Sequence, residues 1–217
     1  MSLAGHRRLS PRAGWLALLV VFGAMVCAPS PAAAQCDVPH YRWAQKTEES
    51  LASTAARRTN ITSILRQWSL LEFTRADVYK CAERVGNERH VYSVLGWVRR
   101  VLRDEDDGDW HIEVTVRADT PIDSCMVVEI PPADLSGLYG NARSDLDSLE
   151  SEHGVTEDAS GDLSQPLRVR IVGAAFFDGQ HRGGADRRDR TDGSHGRCNS
   201  SARALWEIHP VYWVTEP

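Results

Sequence analysis

The chain has 217 residues, with 25 Lys+Arg against 30 Asp+Glu and a formal net charge of −5. That length suits one domain with an extension, and the acidic balance argues against general nucleic-acid binding, which relies on neutralising phosphates. The five cysteines form no Cys-x-x-Cys pair and no Cys/His spacing of a zinc finger.

Residues 1–34 read as an export signal. Arg7, Arg8 and Arg12 give a basic start without acids. Residues 15–27 are an apolar run that falls short of the ~20 residues a spanning helix needs. Pro29 and Pro31 end it, and Ala32-Ala33-Ala34 supplies the small residues that signal peptidase inspects. Cleavage after Ala34 is expected, leaving a secreted or periplasmic chain with no transmembrane segment. Gln35 argues against a lipid-bearing Cys36, and the flanks of Arg7-Arg8 argue against twin-arginine export. Without the three leader arginines, 22 basic residues face 30 acidic ones. The near absence of lysine (Lys46 and Lys80) beside many arginines fits a GC-rich bacterial genome.

Cys27 leaves with the signal. Cys36, Cys81, Cys125 and Cys198 remain, and an even count in an exported chain reads as two disulfides. The favoured pairs are Cys36–Cys81, tying the N-terminal segment to a helical region, and Cys125–Cys198, clipping a long loop to a strand.

Residues 35–58 are polar and without period. Over 59–82, Ile61, Ile64, Leu65, Trp68, Leu70 and Leu71 follow a helical spacing. Residues 90–102 are β-branched and aromatic, with Gly96 as the expected bulge. Asp107-Gly108 then predicts a hairpin turn. The acidic run around it fails as a calcium loop, because Arg103 and Val114 would occupy the first and last ligand positions. Residues 110–117 alternate, with Trp110, Ile112, Val114 and Val116 on one face and His111, Glu113, Thr115 and Arg117 on the other. A third strand spans 125–130 and ends at Pro131-Pro132. An acid-rich helix spans 141–153, and a fourth strand spans 167–177. Residues 178–203, rich in Gly, Asp and Arg, read as a long solvated loop. The last strand spans 204–215.

Three strands, a helix and two strands is the order of an OB-fold, a five-stranded Greek-key barrel. The expected organisation is therefore a signal at 1–34, an N-terminal extension with a helix at 35–89, and a mainly β, OB-fold-like domain at 90–217. Trp97, Trp110, Trp206, Tyr212 and Trp213 all fall in strands; most of them read as core, with Trp110 in register with Ile112 and Val114 and Trp206 with Ile208, and Trp213 is the best candidate for exposure.

Three segments carry a family likeness: GDWHIEV at 108–114, VRIVGAAFFDGQH at 169–181 and WEIHPVYWV at 206–214. Over residues 90–217 the chain resembles a group of exported bacterial proteins that share these marks. The likeness implies a common domain and carries no activity with it. The chain departs from the group in its long Arg/Asp-rich insert between His181 and Trp206.

OB-folds bind ligands on a strand face between the loop joining strands one and two and the loop joining four and five. His111 follows the first loop, Asp178 and His181 open the second, and Glu207 and His209 share a face of the last strand. No cofactor is required by the sequence, but these imidazoles and carboxylates suit a divalent metal such as zinc. The competing reading is a hydrogen-bonded latch closing the strand ends. No Gly-x-Ser-x-Gly or Cys/His nucleophile is present. Three functions follow: a secreted or periplasmic binding module for an envelope or extracellular ligand, a metal-dependent hydrolase using the same cluster, or an envelope scaffold with no small ligand.

Overall fold

The structure, a computed structural model, describes residues 38, 40–103, 105–182 and 195–217. The expected signal, Cys36 and residues 183–194 of the insert lie outside the described residues.

β-Branched runs broken by turn residues produce six strands: β1 (Arg57–Asn60), β2 (Val91–Leu102), β3 (Trp110–Thr115), β4 (Met126–Ile130), β5 (Asp162–Phe177) and β6 (Trp206–Thr215). Pairing runs from β2 through β3, β4, β6 and β5, and β5 returns to β2. β2–β6 are thus a closed five-stranded barrel. Within it only β4 and β6 run parallel, at Val128↔Ile208. With α3 (Gly137–Glu152) between the third and fourth barrel strands, this is the expected OB-fold-like topology.

Alternation fills the barrel. Val94, Val98, Val101, Ile112, Val114, Val128, Val169, Ile171 and Ile208 are buried in one cluster. Tyr139, Ala142, Leu146 and Leu149 recur at helical spacing along α3 and are also buried. The Ser136 side chain caps that helix by accepting from the Leu138 amide. Gly108, at φ 81°, makes the turn between β2 and β3, as Asp-Gly predicts.

Several boundaries differ from the sequence reading. The expected helix over 59–82 shrinks to α2 (Ile61–Gln67). Asn60 caps it by accepting from Ser63, and Trp68 turns extended. Trp68 then packs against Tyr92 and Trp206, so its apolar stripe is satisfied without helix. β1, unforeseen, pairs in parallel with the first half of β2. The β2 irregularity falls between Val98 and Arg100, not at Gly96. At Gly96 a side chain would collide with Val114 and Ile61.

A buried arginine fastens the extension to the barrel. Arg42 donates to Glu88 at 2.6 and 3.1 Å and to the Phe177 carbonyl at 3.2 Å. Its guanidinium lies over Phe73 and Phe176. Arg84 adds bonds to the carbonyls of Ala175, Gln45 and His209. These contacts place α1 (Trp43–Lys46) against the barrel. Cys125 and Cys198 form the expected disulfide. Cys81 is also disulfide-bonded, while its expected partner Cys36 lies outside the described residues. No helix among the described residues is long and apolar enough to cross a membrane.

Candidate functional site

Strand register builds the site. His111 lies opposite Glu129 across β3 and β4, so both project from the outer side of the barrel while Ile112 and Val128 point in. On β6, Glu207 and His209 flank the inward Ile208 and share that outer side. This is the face OB-folds use for ligands. It is not solvated here: the extension and the loop before β6 cover it, and Glu113, His209 and Glu207 are at most 1 % exposed.

All five predicted residues come together in one contact network. His111 Nδ1 is 3.1 Å from Glu129 Oε1. His209 Nδ1 is 2.8 Å from Glu129 Oε2 and 3.3 Å from Glu207 Oε2. His181 Nε2 lies 3.5 Å from Asp178 Oδ2. Four residues that the sequence reading passed over complete the connections. Asp109 Oδ2 is 3.2 Å from His209 Nε2. His195 Nε2 is 3.4 Å from Glu207 Oε1, and the His195 ring packs edge-on against His181. Lys46 Nζ sits 3.3 Å from Asp107, 3.8 Å from Glu129 and 3.9 Å from Asp178.

Glu129 was the most legible of the four, as the one acid in an otherwise apolar strand. Asp109 was hidden among its acidic neighbours. Lys46 and His195 lie in segments without a regular pattern and gave no local signal.

The insert is also less solvated than expected where it is described. Arg197 donates its amide and Nε to Glu113 at 2.8 and 2.7 Å and pairs with Asp162 at 2.6 Å. Cys198 and Arg182 are buried. Gly196, at φ 56°, passes so close to His111 that an added Cβ would lie 2.6 Å from Nε2. Only glycine combines that positive φ with that approach.

Burial and charge set the protonation states. Burial disfavours a charged His111, but the Glu113 and Glu129 carboxylates outweigh it and push the group up to about 10. Burial would raise Glu113, yet His111 and Arg197 hold it down at about 2. Glu129 is held well below the carboxylate range by Lys46, His209 and His111, against its burial. His209, between Asp109 and Glu129, is raised well above the ordinary imidazole value despite burial. Burial and the neighbouring Glu129 push Glu207 up to about 8. His195 is driven down by burial, then by His181 and His111.

Above this layer opens a cleft of about 800 Å³. His111, Glu129 and His181 line it, with Glu105, Asp106 and Asp107 from the β2–β3 turn and Arg75 and Lys80 from the extension.

Fold and site together define a closed OB-type barrel with a buried imidazole–carboxylate layer beneath a polar cleft. The chain matches no family model, no curated protein and no solved structure.

Proposed function

We propose that the protein acts outside the cytoplasm as an OB-type binding module, taking a small polar ligand in the cleft over His111, Glu129 and His181. The observation that supports this is convergence: ionisable residues from six separated segments meet under one cleft on the barrel face suited to ligands. Burying many charges costs stability compared with apolar packing, so a purely structural layer is a poor use of this face. The disulfide at Cys125–Cys198 supports an oxidising compartment. Thermal-shift screening of the oxidised protein against amino acids, sugars and phosphorylated compounds is the test. A class that raises Tm in wild type but not in His181→Ala is expected; no shift across the panel would count against the module.

The second reading is a metal-dependent hydrolase. It is favoured by buried carboxylate and imidazole atoms without hydrogen-bond partners among the described residues: both Asp109 oxygens, Glu129 Oε2, Glu207 Oε1 and His209 Nε2, of which Glu129 borders the cleft. A bound divalent ion would supply a water of lowered pKa there. Metal-dependent turnover of ester, phosphodiester or peptide substrates would replace the module with this reading.

A further inference from the structure

We infer that Asp109, Glu129 and His209 form a divalent transition-metal site, a different ligand set from the one the sequence suggests. The inference rests on reading the buried layer as functional, and it names which part of that layer takes a cation. One donor atom from each of the three residues falls within 4.8 Å of the others. Asp109 Oδ2 and His209 Nε2 are 3.2 Å apart, about the edge of a coordination shell built from ~2.1 Å bonds.

Hydrogen bonds of full geometry leave several of these buried atoms unsatisfied among the described residues. Asp109 is 1 % exposed and His209 0 % exposed, yet among the described residues neither Asp109 oxygen nor His209 Nε2 has a hydrogen-bond partner of full geometry. An unmade hydrogen bond to a buried charge is costly, so these atoms call for a further partner. A cation would take the place of the proton that His209 otherwise shares with these carboxylates.

Among the described residues, the carboxylates Asp107, Glu129 and Asp178 share the single ammonium of Lys46, and the side chains of Asp109 and Glu207 pair with histidines. Two carboxylates and one imidazole suit zinc or manganese. Glu129 also lines the cleft, so it connects the ion to whatever the cleft holds.

The His181–His195 side is the rival location. Among the described residues His195 Nδ1 and Nε2 are likewise without hydrogen-bond partners, but Glu207 is the one carboxylate paired with His195, and no set of three donor atoms within 4.8 Å includes them.

The experiment uses the oxidised, full-length-expressed protein without a histidine tag. Zinc and manganese are titrated separately by calorimetry, with elemental analysis after dialysis. One equivalent is expected, with affinity reduced at least ~100-fold in Asp109→Asn and Glu129→Gln. His181→Ala and His195→Ala should keep the metal. Circular dichroism reports whether each variant folds. If a ligand variant does not fold, anomalous diffraction at the zinc edge of the wild type decides the location directly. A peak between Asp109, Glu129 and His209 supports the inference. No stoichiometric metal, a peak elsewhere, or loss confined to His181→Ala and His195→Ala overturns it. Repeating the ligand screen on metal-stripped protein separates the two proposals: ligand binding without metal leaves the module standing, and metal without ligand leaves the site standing.

Discussion

Lys46→Met removes the one ammonium that contacts the buried acids Glu129 and Asp178, at 3.8 and 3.9 Å, and the half-buried Asp107, at 3.3 Å. Lys46 is 5 % exposed, so water does not take its place readily. Leaving buried carboxylates without their partner costs about 3–5 kcal/mol. Methionine keeps most of the side-chain volume, so little of that loss comes from a cavity. In a domain of this size, each kcal/mol lowers Tm by roughly 2–4 °C, which puts the expected drop near ~10 °C at pH 7. The pH dependence follows from Glu129. Lys46 helps hold its folded-state value far below the ordinary one, so the stability it contributes is fully present above about pH 4.5 and is lost as pH falls further. The gap between variant and wild type should therefore be widest at neutral pH and narrow towards pH 4. Urea unfolding at both pH values, in metal-free buffer, measures it. A loss below about 1 kcal/mol at pH 7, or a gap that does not narrow in acid, would refute the view that Lys46 compensates this layer.

Replacement of Cys125 and Cys198 by serine opens a loop with a sequence separation of 73. Chain entropy sets the cost at about 4 kcal/mol, and denaturant unfolding of the oxidised double variant against the oxidised wild type reads it; an unchanged midpoint would show that the clip stabilises nothing. Gly196→Ala forces a Cβ to within 2.5 Å of Glu113 and 2.6 Å of His111 at a positive φ. A loss of about 2 kcal/mol is expected, together with a changed imidazole signal for His111 in NMR. Glu113, held at about 2 by His111 and Arg197, contributes about 3 kcal/mol above pH 4.5 that vanishes as pH falls through 2. Glu113→Gln should therefore flatten the acid limb of the stability curve, and an unaltered limb would contradict the assignment.

The sequence by itself determined what nearest neighbours along the chain decide. Alternation placed β3 and its inward residues, Asp107-Gly108 placed the turn before it, and the helical spacing of α3 marked the element that divides the barrel strands. Their order was enough to expect the OB topology, because few closed arrangements accept it. The stripe over 59–82 misled for a physical reason: apolar spacing records which side chains need burial, and Trp68 finds that burial on Tyr92 and Trp206 in extended backbone.

His111, Asp178, His181, Glu207 and His209 were legible as residue types suited to a site, and the structure brings them into one contact network. Only the tertiary structure decided how they connect. Glu129 meets His111 because of the β3–β4 register, and His209 because β6 lies beside β4. Lys46 arrives because Arg42 and Arg84 fasten the extension, and His195 because its loop is clipped at Cys198. Each of these contacts joins residues far apart in sequence, and no local pattern encodes them. The same is true of burial. Alternation assigns His111 and Glu113 to the outer face of the barrel, but whether that face meets water or a covering loop depends on segments elsewhere in the chain.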